Sequence, residues 1–298
     1  LVEVLLGDDR VKLVRVLDNL ATGYRHNIKD FLSHPKFEFI EGDIRNYNTC
    51  IEACSGMDTV SHQAALGSVP RSIKDPVISN EVNISGTVNV FTAAKESGVQ
   101  RVVYAASSST YGDHPGLPKV EDQIGKPLSP YAVSKYVGEL YAQVFASTYG
   151  LETIGLRYFN VFGPKQDPNG AYAAVIPLFM KAVLDNEPPT INGDGETSRD
   201  FTFVANAVHA NLQALFTNNQ AALNQVYNIA FGERTTLNDL FTHIKSIAGS
   251  DLAPKYGPER SGDVRHSLAN IDKAKSLLGY QPQVSVREGL KTAFDWHR

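Results

Sequence analysis

Short apolar runs alternate with stretches of helical spacing along the first half of the chain. The runs are typical of buried parallel strands and cover residues 11–18, 37–41, 59–63 and 101–106. Helical spacing separates them, as in residues 82–97, and a further helix over residues 130–149 leads to a strand-like run over residues 152–158. Such alternation predicts βαβ units and a parallel sheet. We therefore predict an α/β fold with a doubly wound, Rossmann-like sheet.

The pattern changes after residue 162. From Gly163 the chain is rich in Pro, Gly and Asn, and its helical patterns are short, at residues 174–184, 237–247 and 286–296. We interpret residues 1–162 as a first domain, with a return segment near residues 201–230, and residues 163–298 as mainly a second, smaller α/β domain. Ligands of doubly wound sheets bind at the carboxyl ends of the strands, so the residues that follow the strands are candidates for chemistry.

The composition is that of an ordinary globular protein. With 42% apolar and 20% charged residues, the 298-residue chain has room for one large domain or two. Its formal charge of −4 comes from scattered acids and bases, which provide no basic face for a nucleic acid. No apolar run approaches the roughly 20 residues of a membrane span, and no signal-peptide pattern opens the chain. We expect a cytoplasmic protein without a membrane partner.

The only two cysteines, Cys50 and Cys54, lie one helical turn apart. A structural zinc site needs a third and a fourth ligand, which this pattern does not supply. We therefore expect packed thiols and predict no metal site.

The start of the chain looks truncated. Residues 1–6 resemble the end of an amphipathic helix, and residues 1–11 contain no glycine-rich turn of the kind that admits a dinucleotide pyrophosphate to a helix N-terminus. We expect about twenty or more natural residues to precede Leu1, including the first strand of the sheet. Residues 1–298 alone are then expected to bind NAD poorly, because that strand normally lies at the centre of the sheet.

Acidic residues close the first two strands. Asp18 is followed by Asn19 and, after a short turn, by Gly23. A carboxylate at this strand end can accept both ribose hydroxyls of NAD, and its charge repels the additional phosphate of NADP. Asp43 and Ile44 end the next strand and can flank the adenine by the same argument. Each acid taken alone fits an ordinary turn equally well.

A tyrosine and a lysine occur four residues apart at the start of the long predicted helix. This spacing places Tyr131 and Lys135 on one face, and Pro130 fits the first helical position. A phenol has an ordinary pKa near 10, so it acts as a base at neutral pH only beside positive charge, which Lys135 can supply. Hydroxyls follow the strand of residues 101–106, and Ser107 or Ser108 can hydrogen-bond a sugar oxygen. Two exposed helix residues and a polar loop are the structural alternatives.

These residues lie within longer stretches that resemble extended short-chain dehydrogenases/reductases. Within that class they are similar to bacterial UDP-N-acetylglucosamine 4-epimerases of surface-polysaccharide biosynthesis. The resemblance covers essentially the whole chain, and its clearest stretches are residues 62–72, 105–112, 157–164, 192–200 and 261–267, together with Tyr131 and Lys135.

The resemblance implies a role for each matching position. Tyr131 is the expected base, assisted by Lys135 and by Ser107 or Ser108. The residues expected to contact NAD are Asp18, Asn19, Gly23, Asp43, Ile44, Gln63, Tyr131, Lys135 and Tyr158. Those expected to hold the nucleotide sugar are Ser68, Ser107, Ser108, Asn160, Arg199, Arg234, Arg260, Asp263 and Ser267. Forked arginine donors suit a doubly charged pyrophosphate, although each arginine alone also fits a surface ion pair.

Residues in two loops distinguish this sequence from related enzymes that catalyse other reactions. Nucleotide-sugar 4,6-dehydratases carry an Asp-Glu pair before the Tyr-Gly of the serine loop, and uronate decarboxylases carry a Glu; this chain has Ser109 and Thr110 there. Without an acid, elimination has no evident catalyst. Ser267 matches a position beside the sugar's 2-substituent, where a tyrosine leaves room for a hydroxyl and a serine leaves room for an N-acetyl group. A plain loop serine is the alternative.

The sequence thus predicts an NAD-dependent isomerase that interconverts UDP-N-acetylglucosamine and UDP-N-acetylgalactosamine through a 4-keto intermediate. The first domain then binds NAD and the second mainly binds substrate. A 4-epimerase of UDP-glucose/UDP-galactose or of UDP-uronic acids is the closest alternative, and a non-catalytic nucleotide-sugar binding protein is an alternative of another class. The resemblance also implies a homodimer that pairs through the helix of Tyr131 and the helix before it.

Overall fold

The computed structural model describes residues 1–169, 173–259 and 264–298. The α-helices of this part of the chain are α1 (Val2–Leu6), α2 (Tyr47–Cys54), α3 (Val69–Lys74), α4 (Pro76–Asn80), α5 (Gly86–Glu96), α6 (Pro130–Tyr149), α7 (Val175–Leu184), α8 (Val204–Phe216), α9 (Leu237–Ala248) and α10 (Val286–His297). The strands are β1 (Val14–Asp18), β2 (Phe37–Glu41), β3 (Thr59–His62), β4 (Arg101–Ser107), β5 (Glu152–Tyr158), β6 (Val161–Phe162), β7 (Thr190–Asn192), β8 (Ser198–Arg199), β9 (Thr202–Phe203), β10 (Gln225–Ile229), β11 (Thr235–Thr236) and β12 (Lys255–Gly257).

The chain divides into two compact units. The first unit consists of Leu1–Ala106, Ser129–Gly155 and Ala214–Val226. The second unit consists of Ser107–Leu128, Leu156–Gln213 and Tyr227–Arg298. The chain passes from one to the other several times. The sequence predicted one main boundary near residue 162 and a return segment near residues 201–230. The functions assigned to the two predicted domains stay predictions.

The first unit has the predicted α/β character. β1 pairs with β2, and β3 pairs with β4, both in parallel register. The longer sheet has the strand order β10–β5–β4–β3, while β1 and β2 form a separate two-stranded sheet. The strands of the first unit therefore form two sheets, and the division lies between β1 and β3. In the doubly wound order a central strand lies between the strands that correspond to these two.

Most predicted elements agree with the structure within two residues. The strand predicted over residues 11–18 is the exception, because it begins only at Val14. The preceding residues form a turn in which the amide of Val11 donates to the carbonyl of Asp8 at 3.1 Å. The helix predicted over residues 82–97 starts with one π-helical turn, Glu81–Ser85, before α5.

Helices and sheet of the first unit enclose an aromatic core. The ring of Phe91 lies edge-on to Tyr104 and Phe145, with both pairs of ring centroids 5.6 Å apart. Cys50 and Cys54 belong to this core, which confirms that they are packed thiols. Burial raises the pKa of Cys50 to about 12 and that of Cys54 to about 11. Both thiols therefore stay protonated and unreactive at neutral pH.

The second unit is built from three short sheets and the helices α7, α9 and α10 around its own apolar core. α10 approaches Phe203 closely, since a Cβ on Gly289 would lie 2.6 Å from that ring. The helix is fixed at its start by a capping box between Ser285 and Glu288. Among the described helices, none combines the length and the apolar character that crossing a membrane requires.

A buried arginine ties the first unit together at the start of β4. Arg101 donates from Nε and Nη2 to the carboxylate of Glu152, at 2.9 and 2.7 Å. Its Nη1 donates to the carbonyls of Ala214, Leu215 and Thr217 at 2.9–3.3 Å, so the guanidinium also caps the last turn of α8.

Replacing Arg101 with Met is expected to lower the free energy of unfolding by about 2–4 kcal/mol, because Glu152 and the helix carbonyls lose their buried donor. Arg25→Met is the matched control, since Arg25 makes an ion pair with Glu41 in which both side chains are more than half exposed. Urea denaturation of both variants measures the difference. An Arg101 variant no less stable than the Arg25 variant would contradict the assignment.

Candidate active site

Helix α6 begins at a well-defined residue that sets the position of Tyr131. The hydroxyl of Ser129 accepts from the amide of Ala132 at 3.1 Å, and Pro130 occupies the first helical position. The amide of Tyr131 donates to the hydroxyl of Ser72 in α3 at 3.0 Å. The first turn of the helix, which carries Tyr131, is therefore anchored through its backbone amides.

The structure brings Tyr131 and Lys135 together, as the spacing predicted. Nζ of Lys135 lies 6.0 Å from the centroid of the Tyr131 ring and donates to the carbonyl of Ala105 in β4 at 2.9 Å. Burial lowers the pKa of Lys135 to about 8, so the amine is mainly cationic at neutral pH. A positive charge at this place favours the phenolate form of Tyr131.

A neutral histidine lies close to this amine. Burial, assisted by the positive charge of Lys135, lowers the pKa of His62 to about 3. Its Nε2 lies 2.9 Å from the hydroxyl of Thr87, which itself donates to the carbonyl of Asn83 at 2.7 Å. Because the hydroxyl proton is already used, the arrangement requires His62 to donate from Nε2. At neutral pH His62 is therefore uncharged, and Lys135 is the cation of this pair.

Asn83 connects the loop after β3 with α6. Its side-chain amide donates to the carbonyl of Leu66 and to the hydroxyl of Ser134, both at 3.1 Å, and its oxygen accepts from the amide of Leu66 at 2.7 Å. Sequence reasoning assigned no role to Asn83 or His62. The available signal was the polar pair Asn83 and Thr87, four residues apart on the buried side of an otherwise apolar helical pattern.

The residues predicted to contact NAD at the ends of β1 and β2 gather into one cluster. The side chain of Asn19 donates to Asp43 at 2.9 Å, and Asp18 accepts from the amide of Leu20 at 2.7 Å. The guanidinium of Arg45 holds the pKa of Asp43 well below its usual range. The exposed carboxylate of Asp18, beside Gly23, is chemically suited to accept ribose hydroxyls.

Two further predicted NAD contacts in the first unit differ in exposure. Ile44 is buried, and its side chain packs so closely on Gly86 that a Cβ there would lie 2.6 Å away. Gln63 is exposed and donates to the hydroxyl of Ser61 at 3.1 Å.

Ser68, a predicted substrate contact, has a φ of 93°, which is unusual for a side-chain-bearing residue. Its hydroxyl caps α3 by accepting from the amide of Arg71 at 3.3 Å.

The serine loop begins in the second unit. The hydroxyl of Ser107 accepts from the amide of Ser109 at 3.2 Å and lies 2.9 Å from its hydroxyl, which fixes the turn after β4. Ser108 is partly exposed at the start of the 3₁₀ turn Ser108–Tyr111. Thr110 is fully buried, and Tyr111 ends the turn by donating to Asn228 at 2.6 Å. The two positions at which the sequence analysis places acids in 4,6-dehydratases are thus occupied here by Ser109, whose hydroxyl lies in the turn, and by the buried Thr110.

The second unit also brings three predicted substrate contacts together on neighbouring extended segments. Arg199 in β8 pairs with Thr235 of β11, the residue after Arg234. On the other side, Ser198 forms a bridge with His266, and the amide of Ser267 donates to the carbonyl of Ser198 at 3.1 Å. Arg199, Arg234 and Ser267 therefore lie side by side in the backbone register.

Asn160 and Tyr158 are held from the same unit. The side chain of Asn160 donates to the carbonyl of Asp200 at 3.3 Å, one residue beyond Arg199. The hydroxyl of Tyr158 accepts from the side chain of Asn211 at 2.7 Å. Arg260 and Asp263 lie outside the described residues. Within the described ranges no group of three or more His, Cys, Asp or Glu side chains is arranged to hold a metal ion.

Comparison with known proteins shows the family. Residues 1–230 match the model of the NAD dependent epimerase/dehydratase family, and the chain belongs to this family. It is therefore an NAD-dependent enzyme of the epimerase/dehydratase class with a Rossmann-like α/β fold. The exposed carboxylate of Asp18 and the partly buried amine of Lys135 are chemically compatible with a nicotinamide cofactor.

Individual relatives cover nearly the whole chain. A putative UDP-glucose 4-epimerase of Methanocaldococcus jannaschii is 38% identical over 95% of this chain and 90% of its own length. The crystal structure of a UDP-glucose 4-epimerase of Thermotoga maritima with UDP-glucose has a TM-score of 0.92 at 36% identity, covering 99% of this chain and 93% of that one. A UDP-N-acetylglucosamine 4-epimerase of Methanobrevibacter ruminantium, in complex with UDP-N-acetylmuramic acid, also has a TM-score of 0.92, at 37% identity, covering 100% and 94%.

Proposed function

We propose that this protein is a UDP-sugar 4-epimerase that interconverts UDP-N-acetylglucosamine and UDP-N-acetylgalactosamine. The observation that carries the proposal is the pair of Tyr131 and the partly buried Lys135 in α6, on a chain with no acid at positions 109 and 110. The names of the relatives support the reaction class, since two are UDP-glucose 4-epimerases and one is a UDP-N-acetylglucosamine 4-epimerase.

In this proposal Tyr131 removes the proton from the 4-hydroxyl of the sugar and later returns it. Lys135 favours the phenolate through its charge, and the hydroxyl of Ser107 or Ser108 hydrogen-bonds O4. NAD, which residues including Asp18, Asn19 and Gln63 are proposed to hold, would when bound accept hydride from C4 and return it to the other face of the 4-keto sugar. Oxidation and reduction cancel, so no redox partner is consumed.

The residues around the serine loop favour epimerisation over dehydration. Elimination of water needs an acid and a base beside the 4-keto sugar, in addition to the groups that move the O4 proton. Ser109 and Thr110 are poor proton donors, and Thr110 has no exposed surface. The reaction then consists only of oxidation at C4 of the sugar and return of the hydride to C4.

Arginines and one serine are proposed to select the substrate. Arg199, Arg234 and Arg260 bind the pyrophosphate and hold the nucleotide, while the sugar keeps the freedom to turn. Asn160, Ser68 and Asp263 complete the contacts to the nucleotide sugar. Ser267, which leaves more space than an aromatic residue, admits the N-acetyl group. Because relatives are named for UDP-glucose as well, a UDP-glucose 4-epimerase is the second candidate.

Replacing Tyr131 with Phe is expected to lower the rate of 4-epimerisation by at least 100-fold, because the ring remains and the proton acceptor is lost. NMR detection of UDP-N-acetylgalactosamine formed from UDP-N-acetylglucosamine by the full-length natural protein measures the rate. Tyr136→Phe, on the same helix, is the matched control and should keep wild-type activity. A Tyr131 variant with more than about a tenth of the wild-type rate would refute the proposed base.

Replacing Ser267 with Tyr is expected to reduce kcat/KM for UDP-N-acetylglucosamine by about 10-fold or more and to change kcat/KM for UDP-glucose by less than about 3-fold, because only the larger 2-substituent meets the ring. Ser267→Ala is the control and should leave the ratio near that of the wild type. Equal losses for both sugars would show that Ser267 does not select the 2-substituent. A wild-type protein active only on UDP-glucose would establish the second candidate.

We propose in addition that the protein forms a homodimer through α6, as the resemblance implies, and through α3 and α4 rather than α5, the helix before α6. α3 and α4 pack against α6, and this surface exposes large apolar side chains. They are Ile73, Val77, Val133, Leu140, Tyr141 and Val144. The three aliphatic residues of α6 recur at intervals of seven and four, so they form one stripe. An apolar stripe of this kind is typical of an interface between subunits.

Replacing Val144 with Glu is expected to convert the dimer to a monomer at about 10 μM protein, because a charge would be buried in the proposed interface. Val4→Glu, at an exposed apolar position of α1, is the control and should leave the dimer intact. Sedimentation velocity distinguishes the two states. A wild-type protein that sediments as a monomer at this concentration would contradict the proposed dimer.

A further inference from the structure

A fully buried carboxylate follows Arg199 in the second unit. Asp200 has 0% relative exposure. Its Oδ1 accepts from the amides of Phe231 and Gly232, and its Oδ2 accepts from the amides of Gly232 and Ala269, all at 3.2 Å. The carboxylate therefore joins β8 to two other segments through their backbones.

Maintaining a charge at this position is costly for the fold. Burial raises the pKa of Asp200 to about 7, although the surrounding amides act in the opposite direction. Since the folded pKa lies above the ordinary value, ionisation of Asp200 lowers the stability of the fold as the pH rises from about 4 to about 7. The observation that indicates a role for this side chain is its geometry, since its two oxygens accept from the amides of two separate segments.

Each segment held by Asp200 carries a residue of the proposed substrate site. The amides of Phe231 and Gly232 belong to the loop that leads to Arg234, and Ala269 lies two residues beyond Ser267. The backbone carbonyl of Asp200 accepts from the side chain of Asn160 at 3.3 Å. Arg199 is the preceding residue. A single residue therefore fixes the spacing of four candidate contacts that are distant in sequence.

We infer that Asp200 is a positioning residue for the nucleotide sugar, which holds Arg199, Arg234, Ser267 and Asn160 in the relative placement that binding requires. It does not itself touch the substrate. This inference rests on the function proposed above for those four residues. It extends that proposal by identifying the group that preorganises the substrate site.

The carboxylate of Asp200 cannot be replaced by the side-chain amide of an asparagine without loss of hydrogen bonds. Both accept, Oδ1 from Phe231 and Gly232 and Oδ2 from Gly232 and Ala269, so a side chain with one oxygen and one NH₂ group cannot satisfy all of these donors. In Asp200→Asn, the NH₂ group would face the amide of Gly232 and, in addition, that of Phe231 or that of Ala269. One of the two segments then separates from β8, and the contacts for the nucleotide sugar lose their spacing.

The test compares steady-state kinetics of the wild type with Asp200→Asn in the full-length natural protein, with UDP-N-acetylglucosamine as substrate. KM is expected to rise at least 10-fold, while kcat per NAD-containing enzyme changes by less than 3-fold, because Tyr131 and Lys135 lie on other segments. Partial unfolding lowers the amount of active enzyme but leaves KM unchanged, so KM separates positioning from a purely structural role. Asp185→Asn, an exposed aspartate in the same unit, is the matched control and should behave as the wild type.

A variant with wild-type KM would overturn the inference and leave the epimerase proposal intact. A wild-type protein inactive on UDP-N-acetylglucosamine and UDP-glucose alike would overturn both.

If Asp200→Asn yields too little folded protein, amide hydrogen exchange in the wild type provides the test. Binding of UDP-N-acetylglucosamine is expected to slow exchange at Phe231, Gly232 and Ala269 by similar factors, because all three amides depend on one carboxylate. A ligand that protects Phe231 and Gly232 while Ala269 exchanges unchanged, or the reverse, would show that the segments respond independently and would refute the inference.

Discussion

The hydrogen bond from Lys135 to the carbonyl of Ala105 is the contact around which the first unit's site is organised. It joins helix α6 to the carboxyl end of β4 and places a buried positive charge near Tyr131. Burial lowers the pKa of Lys135 without removing its charge at neutral pH, and the same burial keeps His62 neutral. One cation at a defined place is what a tyrosine base requires from its surroundings.

The second unit contains a comparable arrangement, in which the side chain bonded to the backbone is an acid instead of a base. Lys135 donates to a backbone carbonyl, whereas Asp200 accepts from backbone amides of two segments. In both cases peptide groups, whose positions are fixed by strands and turns, partner a buried charge. Such partners cannot change rotamer, so the charge and the backbone hold each other in place. Lys135 and Asp200 thereby set the geometry of segments that are far apart in the sequence.

The sequence predicts what local patterns determine. Helix α6 matches its prediction at both ends because Ser129 and Pro130 start it and Gly150, with a φ of 72°, ends it. Tyr131 and Lys135 follow from the helical repeat. The roles of Asn83 and Asp200 were not predictable, since their partners lie between 17 and 69 residues away along the chain. The late start of β1 has the same origin, because an apolar pattern does not reveal the turn at Asp8.

Fold similarity by itself leaves the sugar undetermined. Solved structures equally similar to this chain are named for UDP-glucose and for UDP-N-acetylglucosamine, so the sugar must be selected by a few side chains on a shared framework. Ser267 illustrates how this is possible. Its backbone is fixed by the hydrogen bond from its amide to the carbonyl of Ser198, next to the contact between the side chains of Ser198 and His266. At a position held through its backbone, the side chain can be substituted while the neighbouring segments keep their register. Selectivity for the sugar can therefore vary without a change of fold.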